Sequence, residues 1–352
     1  MLHRLGLTNF KSHTKSTFVF QSKINIFIGQ NGAGKTNVLD AIYYLAVYKS
    51  FLNHLDNQLM HFGQDFFRLE GQFDPKIEVI VKYNGRKRMV EINDVKIAKL
   101  SERFGEIPVV VASPADVFLL FGGSEDRRKF IDYTISMESK DYLLNLNLYN
   151  AFLDQRNAYL KSEGNIEDTL VVYYNTHLIK HGEEIFAKRK VFLEQFIVLC
   201  NKWYARIAKS ESNSERPIEI VYQSQLLTHN FEVLLKTSQE KDRMLQRTTK
   251  GIHRDDIEMS VEGIDVKKIA SQGQQKSLLY AIRFAQAEWM FDQTNKKSYF
   301  LLDDLSDKLD ISRKKNLLQI ISEIDFVEQW FLTDTKEDGL TSEFEIFRII
   351  EP

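Results

Sequence analysis

The stretch that most limits the fold is the run GQNGAGKT, Gly29 to Thr36. It fits the pattern G-x-x-x-x-G-K-[ST]. The apolar run INIFI precedes it, and Val38, Leu39, Ile42, Leu45 and Ala46 follow at helix spacing. The bare pattern arises by chance in roughly one chain in a hundred of this length, and the flanking strand and helix make chance rarer still. Gly29, Gly32 and Gly34 let the backbone wrap phosphates with its N–H groups turned inward. Gln30, Asn31, Ala33 and Asn37 complete that loop and the first turn after it, where the helix dipole favours an anion. Lys35 is placed to reach β- and γ-phosphates, and Thr36 to give its hydroxyl to Mg²⁺.

Such a loop needs a carboxylate at the end of a neighbouring strand, and YFLLDD supplies one. Four apolar residues bury the strand, so Asp303 emerges at its C-terminal end, where α/β folds bind ligands. Asp303 is expected to join Thr36 at the metal. Asp304, the next residue, is expected to polarise an attacking water.

A third stretch, SQGQQKS from Ser271, begins like a capped helix, with Ser271 as N-cap and Gln274 completing a capping box. Gly273 sits in its first turn at a cost of about 0.5–1 kcal/mol relative to alanine. A glycine at a helix start, between serine and glutamine, lets a phosphate approach the backbone. The loop at Gly29 already surrounds one nucleotide. Ser271, Gly273 and Gln274 are therefore expected to meet the nucleotide of a second subunit, as in a dimer that sandwiches ATP. The catalytic set is Lys35, Asp303, Asp304 and Ser271.

The 352 residues carry a formal charge of −2 and include one cysteine, Cys200, within the apolar run FIVLC. A disulfide framework is excluded, and Cys200 reads as a small core residue. No basic-then-apolar leader opens the chain and no run of eighteen apolar residues occurs, so secretion and membrane spanning are not expected and the cytoplasm is. The charge announces no phosphate-rich partner, so any nucleic acid must meet a local patch or an assembled surface. The clusters Arg86-Lys87-Arg88, Arg127-Arg128-Lys129 and Lys188-Arg189-Lys190 read individually as solvated faces.

Strand patterns fill the first hundred or so residues, a mainly helical stretch runs from about Pro114 to Lys250, and strands return after GIHRDD. The expected organisation is a discontinuous α/β ATPase lobe, residues 1–112 plus 285–352, with an inserted, mainly helical lobe, residues 113–284, carrying the SQGQQKS motif. Apolar positions in the helical stretch hold no strict seven-residue repeat over many turns, so no long coiled coil is expected.

The three motifs, in this order, resemble those of ABC-type ATPases, with SQGQQKS similar to their signature loop. The opening LHRLGLTNFKSHTKSTFVFQSKINIFIGQNGAGKTNVLDAIYYLA resembles the DNA-repair branch that includes SMC proteins. LFGGSEDRRKFID, KGIHRDDIEM, ASQGQQKSL and LLDDLSDKLD resemble motifs of the RecF family, and together these span nearly the whole chain. The resemblance implies an ABC-type P-loop ATPase head, with mixed and antiparallel sheets around the P-loop helix. It implies ATP and Mg²⁺ as cofactors and a weak, DNA-stimulated ATP hydrolysis. Dimerisation on ATP and binding of duplex DNA near single-strand gaps would serve recombinational repair and replication. A RecR-type mediator and, indirectly, RecA are the implied partners. The chain departs from the family at Ser124, where proline is frequent, and at DKLD, Asp307 to Asp310. Thr333 and Asp334 stand where many ABC ATPases have a histidine, and sequence alone does not choose between them. Asp116 falls at the expected junction of the lobes.

Overall fold

In a computed structural model of the chain, strand β1 (Arg4–Phe10) alternates, burying Leu5 and Leu7 with a period of two. The structure describes every residue except 54, 74–76, 163–167, 208–216, 262, 270–271, 306–310, 338–343 and 350–352. β1 pairs antiparallel with β2 (His13–Val19) and, past the central elements, with β4 (Phe67–Gln72). β5 (Glu78–Tyr83), β6 (Arg88–Ile92) and β7 (Val95–Lys96) continue this antiparallel sheet in the order β2-β1-β4-β5-β6-β7.

The second sheet is wholly parallel. It holds β3 (Ile24–Ile28), β8 (Val109–Ala112), β12 (Ser298–Leu302), β13 (Val327–Asp334) and β14 (Glu345–Arg348), in the order β14-β3-β13-β12-β8. All residues of β3, β8 and β12 are buried, as parallel strands covered on both faces must be. Helix α1 (Lys35–Val47) touches strands of both sheets and is buried along nearly its whole length. Both ends of the chain thus build one lobe around the helix that follows the glycine loop.

The second lobe contains α2 (Val117–Phe121), α3 (Ser124–Glu138), α4 (Lys140–Leu160), α5 (Asp168–Ile207), α6 (Phe231–Thr237), α7 (Gln239–Leu245) and α8 (Val266–Ile269). A small antiparallel sheet joins them: β9 (Ile218–Gln223), β10 (Asp256–Val261) and β11 (Ile264–Asp265). The 40-residue α5 is about 60 Å long at 1.5 Å per residue. It runs antiparallel to α4, as the pairs Arg156–Asn175, Asn145–His181 and Tyr142–Arg189 show. α9 (Gln272–Thr294) lies along α5 and reaches back to β8, and α10 (Ile311–Glu323) precedes β13. The expected seam between residues 284 and 285 therefore falls inside α9, one continuous helix. Ser124 is the first residue of α3, the position where proline is also favoured.

In two of the three basic clusters the arginines turn inward, while Lys129, Lys188 and Lys190 stay exposed. Arg127 forms a bidentate pair with Asp256 at 2.8 and 3.0 Å, and Arg128 donates to the Asp255 carbonyl. Arg189, buried, bonds Asp132, Asp255 and the Ile252 carbonyl. SEDRRKFID and GIHRDD are therefore complementary halves of one internal network tying α3, α5 and β10 together. Cys200 is buried as expected, and burial pushes its thiol up to about 12.

Candidate functional site

Gly34 caps α1 with φ 94°, a left-handed backbone suited to glycine, and no side chain caps the helix. The first N–H groups of α1 are thus left for an anion. Space also demands this glycine: a Cβ here would lie 2.5 Å from Ser12 Oγ and 2.9 Å from His13 Nε2. Ser12 lies in the turn between β1 and β2, and His13 opens β2. His13 Nε2 donates to the Gly34 carbonyl at 3.1 Å, and its Nδ1 lies 2.9 Å from Ser16 Oγ. Burial lowers the His13 pKa, and the Gly34 hydrogen bond offsets part of that. Asn37 donates to Ser12 Oγ at 2.8 Å, and Lys11 pairs with the fully buried Asp40 of α1 at 2.6 Å. The turn and α1 hold the loop between them.

Lys35 Nζ donates to the carbonyls of Gly29 at 2.8 Å and Gln30 at 2.7 Å. Burial lowers its pKa, opposed by the carboxylates of Asp304, Asp303 and Asp334. Thr36 Oγ1 donates to Asp303 Oδ1 at 2.8 Å. β3 and β12 are not neighbours; β13 lies between them, and its Thr333 donates to the same carboxylate oxygen at 2.7 Å. Thr333 Oγ1 also accepts from the Asp304 backbone N–H at 2.8 Å. That bond helps hold Asp304 at φ 58°, a conformation few residues other than glycine adopt. Asn31, Gly32, Gly34, Lys35, Thr36, Asn37, Pro114, Asp303, Asp304 and Thr333 line one cleft of about 210 Å³.

Asp334, adjacent to Thr333, turns the other way. Its carboxylate is buried against Lys314 Nζ at 2.7 Å and accepts from the Thr335 N–H. Strand geometry thus places Thr333 at the two acids and Asp334 in an internal ion pair.

Gly273 and Gln274 sit in the first turn of α9 and do not line the phosphate cleft of their own chain. Ser271, and Asp307 to Asp310, lie outside the described residues. One turn on, Lys276 Nζ lies 3.4 Å from the Asp304 carbonyl, and Gln275 and Lys276 border a second pocket with Ser113, Pro114, Asp116 and Asp303. Asp116 is buried in the 3₁₀ turn after β8. It holds Arg283 of α9 through two bonds of 2.9 and 2.6 Å. The junction of the lobes is thereby tied to the helix carrying the third motif. In the basic cluster Arg86-Lys87-Arg88, Arg88 pairs with Asp56 and lies over the Tyr44 ring, whereas Arg86 and Lys87 are exposed.

A glycine loop opening a helix between two sheets, with paired acids on the next strand but one and an inserted helical lobe, defines an ATPase head of the ABC and SMC type. Residues 1–112 match the family described as the RecF/RecN/SMC N terminal domain. The chain is 40% identical to the DNA replication and repair protein RecF of Flavobacterium johnsoniae, over 95% of this chain and 94% of that protein. It is 35% identical to RecF of Bacteroides thetaiotaomicron, over 99% and 96%. A solved structure of the recombination mediator protein RecF with ATP superposes with a TM-score of 0.87 at 26% identity, covering 99% of this chain and 95% of that one. The Smc head domain of Pyrococcus furiosus shares the fold at a TM-score of 0.57 and 13% identity, covering 99% and 94%. The chain belongs to the RecF family of DNA replication and repair proteins.

Proposed function

We propose that this chain binds ATP with Mg²⁺, dimerises on it, and in that state binds duplex DNA near single-strand gaps to help recombinase loading. The observation that carries this reading is the convergence of Thr36, Asp303 and Thr333 beside the Lys35 loop. The residues present fit the cofactor. Gly34 leaves no side chain between the α1 N–H groups and a phosphate, and Thr36 and Asp303 offer the oxygen ligands that Mg²⁺ prefers. Bound Mg²⁺ would neutralise charge on the phosphate oxygens. Lys35 would exchange its two carbonyl partners for phosphate, Thr36 and Asp303 would hold the metal, and Asp304 would accept a proton from water.

Ser271, Gly273 and Gln274 would act on the nucleotide of a second subunit, and hydrolysis would reset the dimer. Hydrolysis is slow and stimulated by DNA on this reading, with a discontinuous ATPase lobe built from both ends of the chain and an inserted helical lobe as the working units. The protein acts in the cytoplasm, where a RecR-type mediator joins it on gapped DNA and RecA follows indirectly. Steady-state ATP turnover with and without duplex DNA tests the enzymatic part. Turnover that rises with DNA and slows in Asp304→Asn supports it; turnover absent under both conditions makes the chain a nucleotide switch instead.

A further inference from the structure

The segment joining α1 to β4 leaves Leu52, Leu55, Phe62 and Phe66 in solvent. Phe62, 97% exposed, is the most exposed large apolar residue among those described. Its display is rigid. His61 to Gln64 form a turn closed by the Gln64 N–H on the His61 carbonyl at 3.0 Å, with Gly63 at φ 79° in the position a type II turn reserves for glycine. Three bonds pin that turn from below. The His61 N–H donates to the Asn9 carbonyl at 2.8 Å, His61 Nδ1 lies 2.7 Å from the Lys11 carbonyl, and Asn9 Nδ2 donates to Gln64 Oε1 at 3.2 Å.

The hairpin turn between β5 and β6 stands against it: a Cβ on Gly85 would lie 3.5 Å from the Asp65 carbonyl. The next two residues, Arg86 and Lys87, are exposed. Their backbone N–H groups are fixed on Asn84 Oδ1 at 3.2 and 2.9 Å, and their side chains form no ion pair among the described residues. Asp65, exposed on the neighbouring turn, is an opposing charge, so the patch sets two cations against one anion.

An exposed ring beside unpaired cations matches a strand with a bare base next to phosphates. Intact duplex hides its base faces, whereas the edge of a gap offers one, and stacking on an aromatic ring is indifferent to base identity. We propose that this pair of turns reads the junction of double- and single-stranded DNA. Arg86 and Lys87 hold backbone phosphates, and Phe62 stacks on the first unpaired base. The site touches the nucleotide loop through contiguous bonds, because His61 bonds the Lys11 carbonyl while Ser12 and His13 pack under Gly34. The inference rests on the DNA-binding reading above and adds where, and by which residues, the junction is met.

The test uses the full chain with a non-hydrolysable ATP analogue and two probes: a blunt duplex, and a gapped duplex carrying 2-aminopurine at the first unpaired position. Phe62→Ala should weaken binding to the gapped probe about ten-fold, as loss of one stacked base does, and abolish the change in 2-aminopurine fluorescence. Its affinity for blunt duplex should stay within about two-fold, and Phe62→Trp should restore the gapped-probe affinity. Arg86→Glu with Lys87→Glu should weaken both probes and lower the slope of log affinity against log salt by about two. Phe62→Ala acting equally on both probes, or on neither, overturns the inference while leaving DNA binding intact. A parent protein that binds neither probe overturns the DNA-binding reading itself.

Discussion

Thr333 and Asp303 share a hydrogen bond of 2.7 Å across adjacent parallel strands, and the same hydroxyl accepts from the Asp304 backbone at 2.8 Å. One side chain thus orients both acids of the cleft. Thr333→Val keeps the volume and removes both bonds, leaving the Asp303 carboxylate short of a donor. A hydrogen bond to a charged group is worth about 1.5–3 kcal/mol, so kcat for ATP hydrolysis should fall about ten- to a hundred-fold. KM should change little, because Lys35 and the glycine loop are intact. Thr333→Ser should recover most of the rate. Equal rates in the valine and parent proteins would reduce Thr333 to a strand-packing residue.

Lys35→Ala removes the cation that now bridges the Gly29 and Gln30 carbonyls. Calorimetric titration with ATP should show affinity lowered at least ten-fold, since a positive charge against two phosphates is lost. Thermal unfolding without nucleotide should change little, because the two carbonyls can turn to water.

The Asp116–Arg283 pair crosses from the lobe junction to α9 and is almost out of water, with side chains 10% and 13% exposed. Replacing arginine by methionine strands a buried carboxylate, at a cost of about 3–5 kcal/mol. Urea unfolding of Arg283→Met should show that loss. The double variant Asp116→Leu with Arg283→Met should regain much of it, since apolar partners remove the stranded charge. A single variant as stable as the parent would mean that the pair is solvated.

Burial lowers the His253 pKa to about 4, opposed by its bond to the Thr248 carbonyl and aided by Arg254 and Arg128. The ring is held neutral between the Tyr149 hydroxyl at 2.8 Å and that carbonyl at 3.1 Å. Between pH 6.5 and 4 the unfolded chain takes up a proton that the folded one refuses. Its contribution to stability is therefore complete above pH 6.5 and is lost as pH falls to 4, amounting to about 3 kcal/mol. Urea midpoints at pH 7.5 and 4.5 should differ less in His253→Gln than in the parent. Equal pH dependence would contradict the assignment.

Much of the site was legible because its chemistry is local. The glycine loop lies between a strand and a helix, and Asp303 and Asp304 end a strand whose other residues are apolar. Choosing between Thr333 and Asp334 required the sheet, since neighbouring residues of a strand face opposite ways and both types suit a polar site. Ser12 and His13 escaped notice because their contact with Gly34 joins segments more than twenty positions apart. Arg127 and Arg189 looked solvent-facing because Asp256 and Asp255, their partners, stand 129 and 66 residues away. No periodicity within a helix reports a partner from a distant strand.

Sedimentation velocity of the full chain, with and without Mg·ATP and in the presence and absence of gapped duplex, tests the central claim most directly. Asp304→Asn is the variant to use, because on the proposed role of Asp304 it should keep the cleft while slowing turnover. The account predicts a monomer without nucleotide, a dimer with Mg·ATP, and a dimer–DNA complex only when nucleotide and DNA are both present. A monomer at saturating Mg·ATP, or DNA binding of equal strength without nucleotide, would contradict it.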